Sequence, residues 1–462
     1  MQLYKNKWII ITTASLATFA IGLSTSAVNM ANPTLARFFE IGIEQVQWVT
    51  TIFTLVVIAL MLLFGRLGDQ SGNNRVFNIG VLIFNIGSLC CGMSGSFAVL
   101  LIGRAIQAVG AAMIMASSMA IAAEAFPVSE RGRAMGITVL SVGLGRMCGP
   151  SLGGLVLSYF EWNFIFYTIL PFGIAAFVLG AIFLRPEAAS NKVRLSSLDL
   201  IGAFFLAVIT SSVILFLSGG FRGSRWFGLL FIAAIPVFVI YEKRHREPLW
   251  NFELLRNPRF SLGNLMAFMM YSSQTAVVFL LPFYMTDILE LPIGTMSMML
   301  MITPLCMAVF SPISGVVSDR IGAMRLLPLS FLILLAAFTC LFFLSDTSSL
   351  WHIAIGAGLI GAGYAFCAAP NNSEIMTAAG RELSGYAGGF VSTTRNLGFC
   401  IATAASAGSF SSLLRIFSGR YDYITAYLSA LRCVIAAAAF TAVIGIYICL
   451  KMKRAQTADK SV

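Results

Sequence analysis

Charge is scarce in this sequence. Of 462 residues only 11% are charged, the acids number 19, and histidine occurs twice. A soluble domain is about 25% charged. The chain therefore lacks the polar surface to cover the two or three soluble domains that this length otherwise implies. That scarcity excludes a soluble enzyme, a secreted disulfide scaffold and a disordered protein. The two histidines, His245 and His352, stand far apart and no C-x-x-C occurs among the nine cysteines. A metal site needs clustered ligands, so no metal is expected. The cysteines all fall in apolar stretches, as small buried hydrophobes do. No ATP-binding motif and no nucleophile–base constellation appears, so neither an enzyme nor an ATP-driven pump is expected. The longest loop, about Glu242 to Arg259, is too short for a signalling domain.

What the chain has instead is apolar length. Hydrophobic residues make up 58% and the mean hydropathy is +0.88. A helix crossing the hydrocarbon core needs about 20 apolar residues. Breaks at charged or turn-rich stretches leave fourteen candidates, near 8–32, 45–66, 76–96, 98–122, 133–157, 163–184, 199–218, 226–241, 260–286, 295–317, 326–345, 351–378, 385–410 and 426–450. The eighth is the weakest, being short and carrying Pro236. The first is longer than a signal-peptide core and has no convincing cleavage site, so it reads as a spanning helix.

The net charge of +11 would suggest nucleic acid in a soluble chain. Here its distribution says otherwise. With the N-terminus inside, 21 of the 30 basic residues fall in cytoplasmic segments, five in outer segments and four within spans. That asymmetry is the positive-inside pattern. It implies a multi-pass protein of the cytoplasmic membrane with both termini cytoplasmic, and no nucleic-acid partner.

An octapeptide pattern recurs. Gly65-Arg-Leu-Gly-Asp69-Gln-Ser-Gly72 lies between spans two and three; Gly315-Val-Val-Ser-Asp319-Arg-Ile-Gly322 lies between spans ten and eleven, 250 residues later. A single copy reads as a polar turn. Two copies in register imply two six-span halves with parallel repeats, spans seven and eight being an inserted pair. The expected domains are 1–187, 188–245 and 246–462. Glycine suits a tight turn, and an acid beside a helix N-terminus is favoured by the dipole.

The segment from Gly65 to Arg75 resembles the signature loop of the major facilitator superfamily, whose two halves are related by an axis along the membrane normal. Fourteen spans with a central pair resemble its fourteen-helix drug:proton antiporter branch. Span four, with Gly103-Arg104-Ala-Ile-Gln107-Ala-Val-Gly110, is similar to the family's arginine-bearing fourth helix. Span five carries Gly136, Gly145, Gly149-Pro150 and Gly153-Gly154 at the spacing of the family's antiporter motif. Pro370-Asn371-Asn372-Ser373 and Ser392-Thr393-Thr394-Arg395-Asn396-Leu397-Gly398 again resemble the fourteen-helix branch. The resemblance implies an all-α polytopic fold of two six-helix bundles plus an inserted pair. It implies a substrate site between the halves near the midplane, and alternating access gated by Gly65, Asp69, Gly72, Arg75, Gly145, Gly149, Pro150, Gly153 and Asp319. A G-x-G-x-x-G from Gly356 to Gly361 lies inside an apolar span and reads as close helix packing, not as a nucleotide fingerprint.

Ionisable residues inside a bilayer are costly and usually serve a cavity or a partner. Four arginines (Arg104, Arg146, Arg395, Arg432) and one acid, Glu374, lie there. Arg104 matches the family residue implied in proton coupling. A guanidinium keeps its proton, so its part would be to act on a neighbouring carboxylate or water; a structural hydrogen-bonding role stays open. Arg146 interrupts the antiporter motif where the family has small or apolar residues, and must face a cavity or a partner. Glu374, a turn after Pro370, and Arg395 on the next span form either a proton-sensitive pair or a static tie. Asn29, Arg146, Asn264, Gln274, Asn371, Asn372 and Asn396 are the candidate substrate contacts, amides being disfavoured against lipid. Methionines and aromatics crowd spans nine and ten, where lipid-facing packing and a pliable pocket are both open.

One departure matters. Leu23-Ser24-Thr25 aligns with a first-helix motif that usually has Asp where Ser24 stands. Its absence, and an inner balance of four positive to one negative, favour anionic or zwitterionic substrates over cations. The expectation is a monomeric, proton-coupled carrier of amphipathic organic molecules, exporting by antiport. Its energy source is the proton gradient, with no cofactor. Uptake of an organic acid on the same fold is the alternative.

Overall fold

The computed structural model describes residues 7–126, 131–184, 200–217, 224–244, 252–379 and 384–459; within these the side chains of Asp69 and Asp319 fall outside the described set. Everything described is helical or a short connection. The chain divides into two compact units, residues 1–211 with 230–249, and residues 212–229 with 250–462.

The first unit holds α1 (Lys7–Phe38), α2 (Ile43–Val46), α3 (Trp48–Ser71), α4 (Asn73–Gly92), α5 (Phe97–Ala125), α6 (Arg131–Tyr159), α7 (Phe164–Tyr167) and α8 (Leu170–Phe183). Then come α9 (Leu200–Leu217) and α10 (Ser224–Arg244), through which the division runs. The second unit continues with α11 (Phe252–Arg256), α12 (Pro258–Asp287), α13 (Ile293–Ile321), α14 (Ala323–Phe342), α15 (Leu350–Ala379), α16 (Ser384–Ser418) and α17 (Tyr423–Asp459). Fourteen of these have seven or more residues. Among the described residues, twelve stretches are long and apolar enough to cross a membrane, against the fourteen expected. The other two expected spans correspond to α6 and α9. Arg146, Pro150 and five glycines between Ser141 and Tyr159 dilute the apolar run of α6. α9 is apolar and uncharged throughout its 18 residues, but Ala203 lies outside the described side chains, so its uninterrupted described stretch is Phe204–Leu217.

The repeated octapeptide builds the same joint twice. Gly72 ends α3 and starts α4 at φ 94°, and Gly322 ends α13 and starts α14 at φ 86°. Each donates its N–H to the carbonyl four residues back, Gly68 and Ser318, at 2.9 Å. A left-handed φ costs an L-residue about 1–2 kcal/mol, which is why glycine stands here. The first glycine of each copy is different: a Cβ on Gly65 or Gly315 would meet nothing within 4 Å. Gly72→Ala and Gly322→Ala should each lose about 1–2 kcal/mol, and Gly315→Ala none, read as thermal midpoints in detergent. Equal midpoints for Gly322→Ala and Gly315→Ala would refute the assignment.

The repeat extends into the packing. A Cβ on Gly103 (α5) would lie 2.9 Å from Cys91 Sγ, and one on Gly356 (α15) 2.6 Å from Leu341 Cγ. One turn-pair on, Gly110 meets Phe84 and Gly363 meets Leu334. Cys91 and Phe84 follow Gly72 by the same intervals at which Leu341 and Leu334 follow Gly322. Bare backbones on α5 and α15 thus let a neighbouring helix approach closely, the device expected of small residues in membrane helices. Gly356 and Gly361 of the G-x-G-x-x-G run serve this packing, against Leu341 and Thr303. At the start of α17, Asp422 Oδ2 accepts from the Thr425 N–H at 3.1 Å. Hydrogen bonds from the Thr425 side chain and backbone hold the Asp422 carboxyl below its usual range.

Candidate functional site

Among the described residues, the largest fully buried side chain is charged. Arg104, on α5, has no exposed surface. Its Nε donates to the Val49 carbonyl at 2.9 Å, and its Nη1 to Ser24 Oγ at 3.0 Å and to Gln107 Oε1 at 2.5 Å. The guanidinium carbon sits 4.4 Å over the Phe53 ring, a cation–π distance. Gln107 passes the network on: its Nε2 donates to Ser88 Oγ at 2.7 Å, and Ser88 donates to the Phe84 carbonyl. Three helices, α1, α3 and α5, therefore meet on one guanidinium, and Gln107 links it to α4. All its acceptors are neutral, and Nη2 is buried with no hydrogen-bond partner. Sequence reasoning reached Arg104 but not Ser24, Phe53 or Ser88 as its neighbours. Gln107 was readable, since residues i and i+3 share a helix face.

α1 is pressed onto α6 by the predicted glycines. A Cβ on Gly145 would clash with the Phe19 carbonyl and lie 2.8 Å from the Leu23 nitrogen. One on Gly149 would clash with Ser26 Oγ and lie 2.8 Å from the Ala27 nitrogen; one on Gly153 would lie 3.4 Å from Ala27 Cα. Gly22 answers from α1, against the Val142 carbonyl. Pro150 lies within the same helix and is buried. Arg146 is half-buried beside this seam. Asn29, half-buried on α1, accepts from Asn32 Nδ2 at 3.2 Å.

In the second unit several predicted amides tie helices together. Asn264 (α12) donates to the Phe260 carbonyl at 2.9 Å and accepts from Thr394 (α16) at 3.5 Å. Asn371 (α15) donates to the Gly263 carbonyl at 2.9 Å, leaving its Oδ1 buried without a hydrogen bond. Asn396 is buried, and its Nδ2 makes no hydrogen bond. Gln274 is half-buried, its Nε2 3.8 Å from the Met307 sulfur. Asn372, Glu374 and Arg395 are half-buried, and Arg395 Nε is buried without a hydrogen bond. Glu374 and Arg395 stand on α15 and α16.

Arg432 has a different surrounding. Its Nη2 donates to the Leu344 carbonyl at 3.0 Å, just past the end of α14. Tyr284 donates to the Ser345 carbonyl at 2.6 Å, and the His352 ring lies 2.8 Å from the Cys340 carbonyl. Three side chains from three helices thus occupy carbonyls at one helix end, where a cation is favoured by the dipole. Of the residues expected at the hairpins to gate, Arg75 is exposed three residues beyond the Gly72 joint. The Asp69 and Asp319 side chains lie outside the described residues.

These features have clear relatives. Residues 14–403 match the model of the Major Facilitator Superfamily. The chain is 34% identical to the riboflavin transporter RibZ of Clostridioides difficile, over 92% of this chain and 93% of that one. It is 30% identical to the multidrug resistance protein Stp of Mycobacterium tuberculosis, over 84% of this chain and 73% of that one. A crystal structure of a POT family transporter in complex with 5-aminolevulinic acid shares the fold, with TM-score 0.73, 12% identity and coverage of 97% and 96%. Duplicated glycine joints, helices long enough to span a bilayer and a family match over most of the length make this chain a member of the Major Facilitator Superfamily, a multi-pass membrane transporter and not an enzyme.

Proposed function

We propose that the chain is a proton-coupled carrier of the fourteen-helix drug:proton antiporter branch, exporting amphipathic organic anions or zwitterions by alternating access. The observation that carries this reading is the glycine seam between α1 and α6, where Gly145, Gly149 and Gly153 meet the α1 backbone and side chains. In this reading α6 and α9 also span the cytoplasmic membrane, which brings the count to fourteen, and both termini are cytoplasmic. The carrier works as a monomer, with lipid, protons and a small amphipathic substrate as its partners and no nucleic acid. The proton gradient is its energy source and no cofactor is needed.

Arg104, Glu374 and Arg395 serve proton coupling. Arg146, Asn29, Gln274 and Asn372, all half-buried, are the substrate contacts with room to rearrange. Asn264, Asn371 and Asn396 belong to the same group, with buried amide atoms of Asn371 and Asn396 still lacking hydrogen bonds. The similarity to a relative named a riboflavin transporter supports a planar amphipathic organic substrate; riboflavin being uncharged at neutral pH, it does not bear on the sign of the charge. Similarity to a multidrug resistance protein supports breadth.

Uptake of an organic acid is the second reading, favoured by Ser24 in place of an acid and by the additional Arg146. Reconstituted vesicles with an imposed pH gradient separate the two, because the direction of net substrate flux decides. Glu374→Gln should abolish the pH-driven component of flux while leaving substrate exchange without a gradient. Proton coupling that survives this change removes Glu374 from the mechanism.

A further inference from the structure

The two units carry their own control for Arg104. By the interval that relates Gly103 to Gly356 and Gly110 to Gly363, the counterpart of Arg104 on α15 is Ala357. By the interval that relates Gly72 to Gly322, the counterpart of Phe53 on α13 is Thr303. These two meet in the second unit: Thr303 Oγ1 donates to the Ala357 carbonyl at 3.0 Å, and both residues are buried. The same helix crossing is thus built once around a guanidinium on an aromatic ring and once around a methyl group and a hydroxyl. The crossing does not need the charge.

The charge is also left without a counter-ion. Among the described residues no carboxylate hydrogen-bonds Arg104; its partners are Ser24, Gln107 and the Val49 carbonyl. The adjacent Cys91 thiol donates elsewhere, to the Leu100 carbonyl at 3.9 Å. A guanidinium cannot shed its proton to escape burial, and in a dry interior its field reaches further than in water. Removing such a group from water costs several kcal/mol unless something of opposite sign offsets it. The orphaned Nη2 shows that the surrounding protein does not complete the task.

We propose that Ser24 sets the sign of the charge this carrier accepts. As a neutral hydroxyl on Arg104 it leaves a net positive charge in the first unit, which favours an anionic group on the substrate and disfavours a cationic one. This rests on the carrier reading above and assigns its charge selectivity to one hydrogen-bonded pair. A carboxylate at either of the two side chains that accept from Nη1 cancels that charge. Ser24→Asp does so from α1, and Gln107→Glu does so isosterically from α5. Ser24→Asn changes the size and keeps the neutrality.

The test is binding to purified protein without any gradient, by thermal shift against concentration. The probes share one ring: 1-naphthylacetate and (1-naphthylmethyl)trimethylammonium. The native chain should bind the anion about tenfold more tightly than the cation. Ser24→Asp and Gln107→Glu should each erase or reverse that ratio, and Ser24→Asn should keep it. Should one acid variant fail to fold, the other decides. The proposal is overturned if the native chain does not prefer the anion, if both acid variants keep the native ratio, or if Ser24→Asn shifts the ratio as the acids do. Binding preference as expected, with no flux under a pH gradient, would sink the coupled-carrier reading and leave the selector standing.

Discussion

Arg104→Met is expected to leave the chain folded and to stop transport. Methionine fills much of the volume of the arginine stem and removes the charge. Replacing a whole buried ion pair by apolar residues is often neutral or stabilising, by about 1–4 kcal/mol, and a charge buried without a carboxylate partner has at least as large a desolvation cost to relieve. Gln107 Oε1, Ser24 Oγ and the Val49 carbonyl each lose a donor, at roughly 1 kcal/mol apiece. Against that, the orphaned Nη2 disappears. The Thr303–Ala357 crossing shows that this architecture tolerates an uncharged residue at that place. The thermal midpoint should therefore stay close to that of the native chain, while pH-driven flux in vesicles falls by about 100-fold, or about 2.7 kcal/mol. A variant that unfolds would make Arg104 a structural residue. A folded variant with native flux would remove it from the mechanism.

The second large effect separates two glycines on one helix. A Cβ on Gly143 would meet nothing within 4 Å, whereas one on Gly145 would strike the α1 backbone at Phe19 and Leu23. Backbone atoms cannot swing aside as a side chain can. Gly143→Ala should therefore be neutral or gain up to about 1 kcal/mol of helix propensity. Gly145→Ala should lose about 1–3 kcal/mol through overpacking. The functional loss should be larger than the loss of stability. Leu23, which the new methyl would push, immediately precedes Ser24, whose hydroxyl accepts from Arg104 3.0 Å away. Thermal midpoints and vesicle flux for both variants check this. Equal behaviour of the two would show that the seam is not close-packed.

Much of the architecture could be read before any coordinates, because it is written in local signals. Long apolar runs give the helices, and the recurrence of Gly65–Gly72 as Gly315–Gly322 gives the two joints. The inserted pair was harder: α9 is uncharged over only 18 residues, a length that alone does not separate a span from a buried helix. The site was legible only in part, for a physical reason. A polar residue inside an apolar run announces a cost, but not where the compensation comes from. Arg104 and Arg432 look alike in sequence. One is held by a side chain and a carbonyl from two other helices and by Gln107 of its own, and the other meets the end of a helix 88 residues away. Asn264 and Asn371 likewise read as candidate substrate contacts. Their hydrogen bonds to Thr394 and to the Gly263 carbonyl depend on helix partners that no periodicity specifies.

The paired joints at Gly72 and Gly322 also bear on ancestry. A chain whose halves reproduce a left-handed glycine, its hydrogen bond four residues back and the glycine contacts that follow is best understood as one ancestral half-length gene copied in tandem. What the copies still share marks what neither could lose: the joint and the bare helix faces. What they no longer share marks where selection was free to act on one copy alone. By that measure the pairing of Phe53 with Arg104, opposite Thr303 with Ala357, marks a place where the two halves have diverged, one keeping a buried charge at a crossing that the other builds without it.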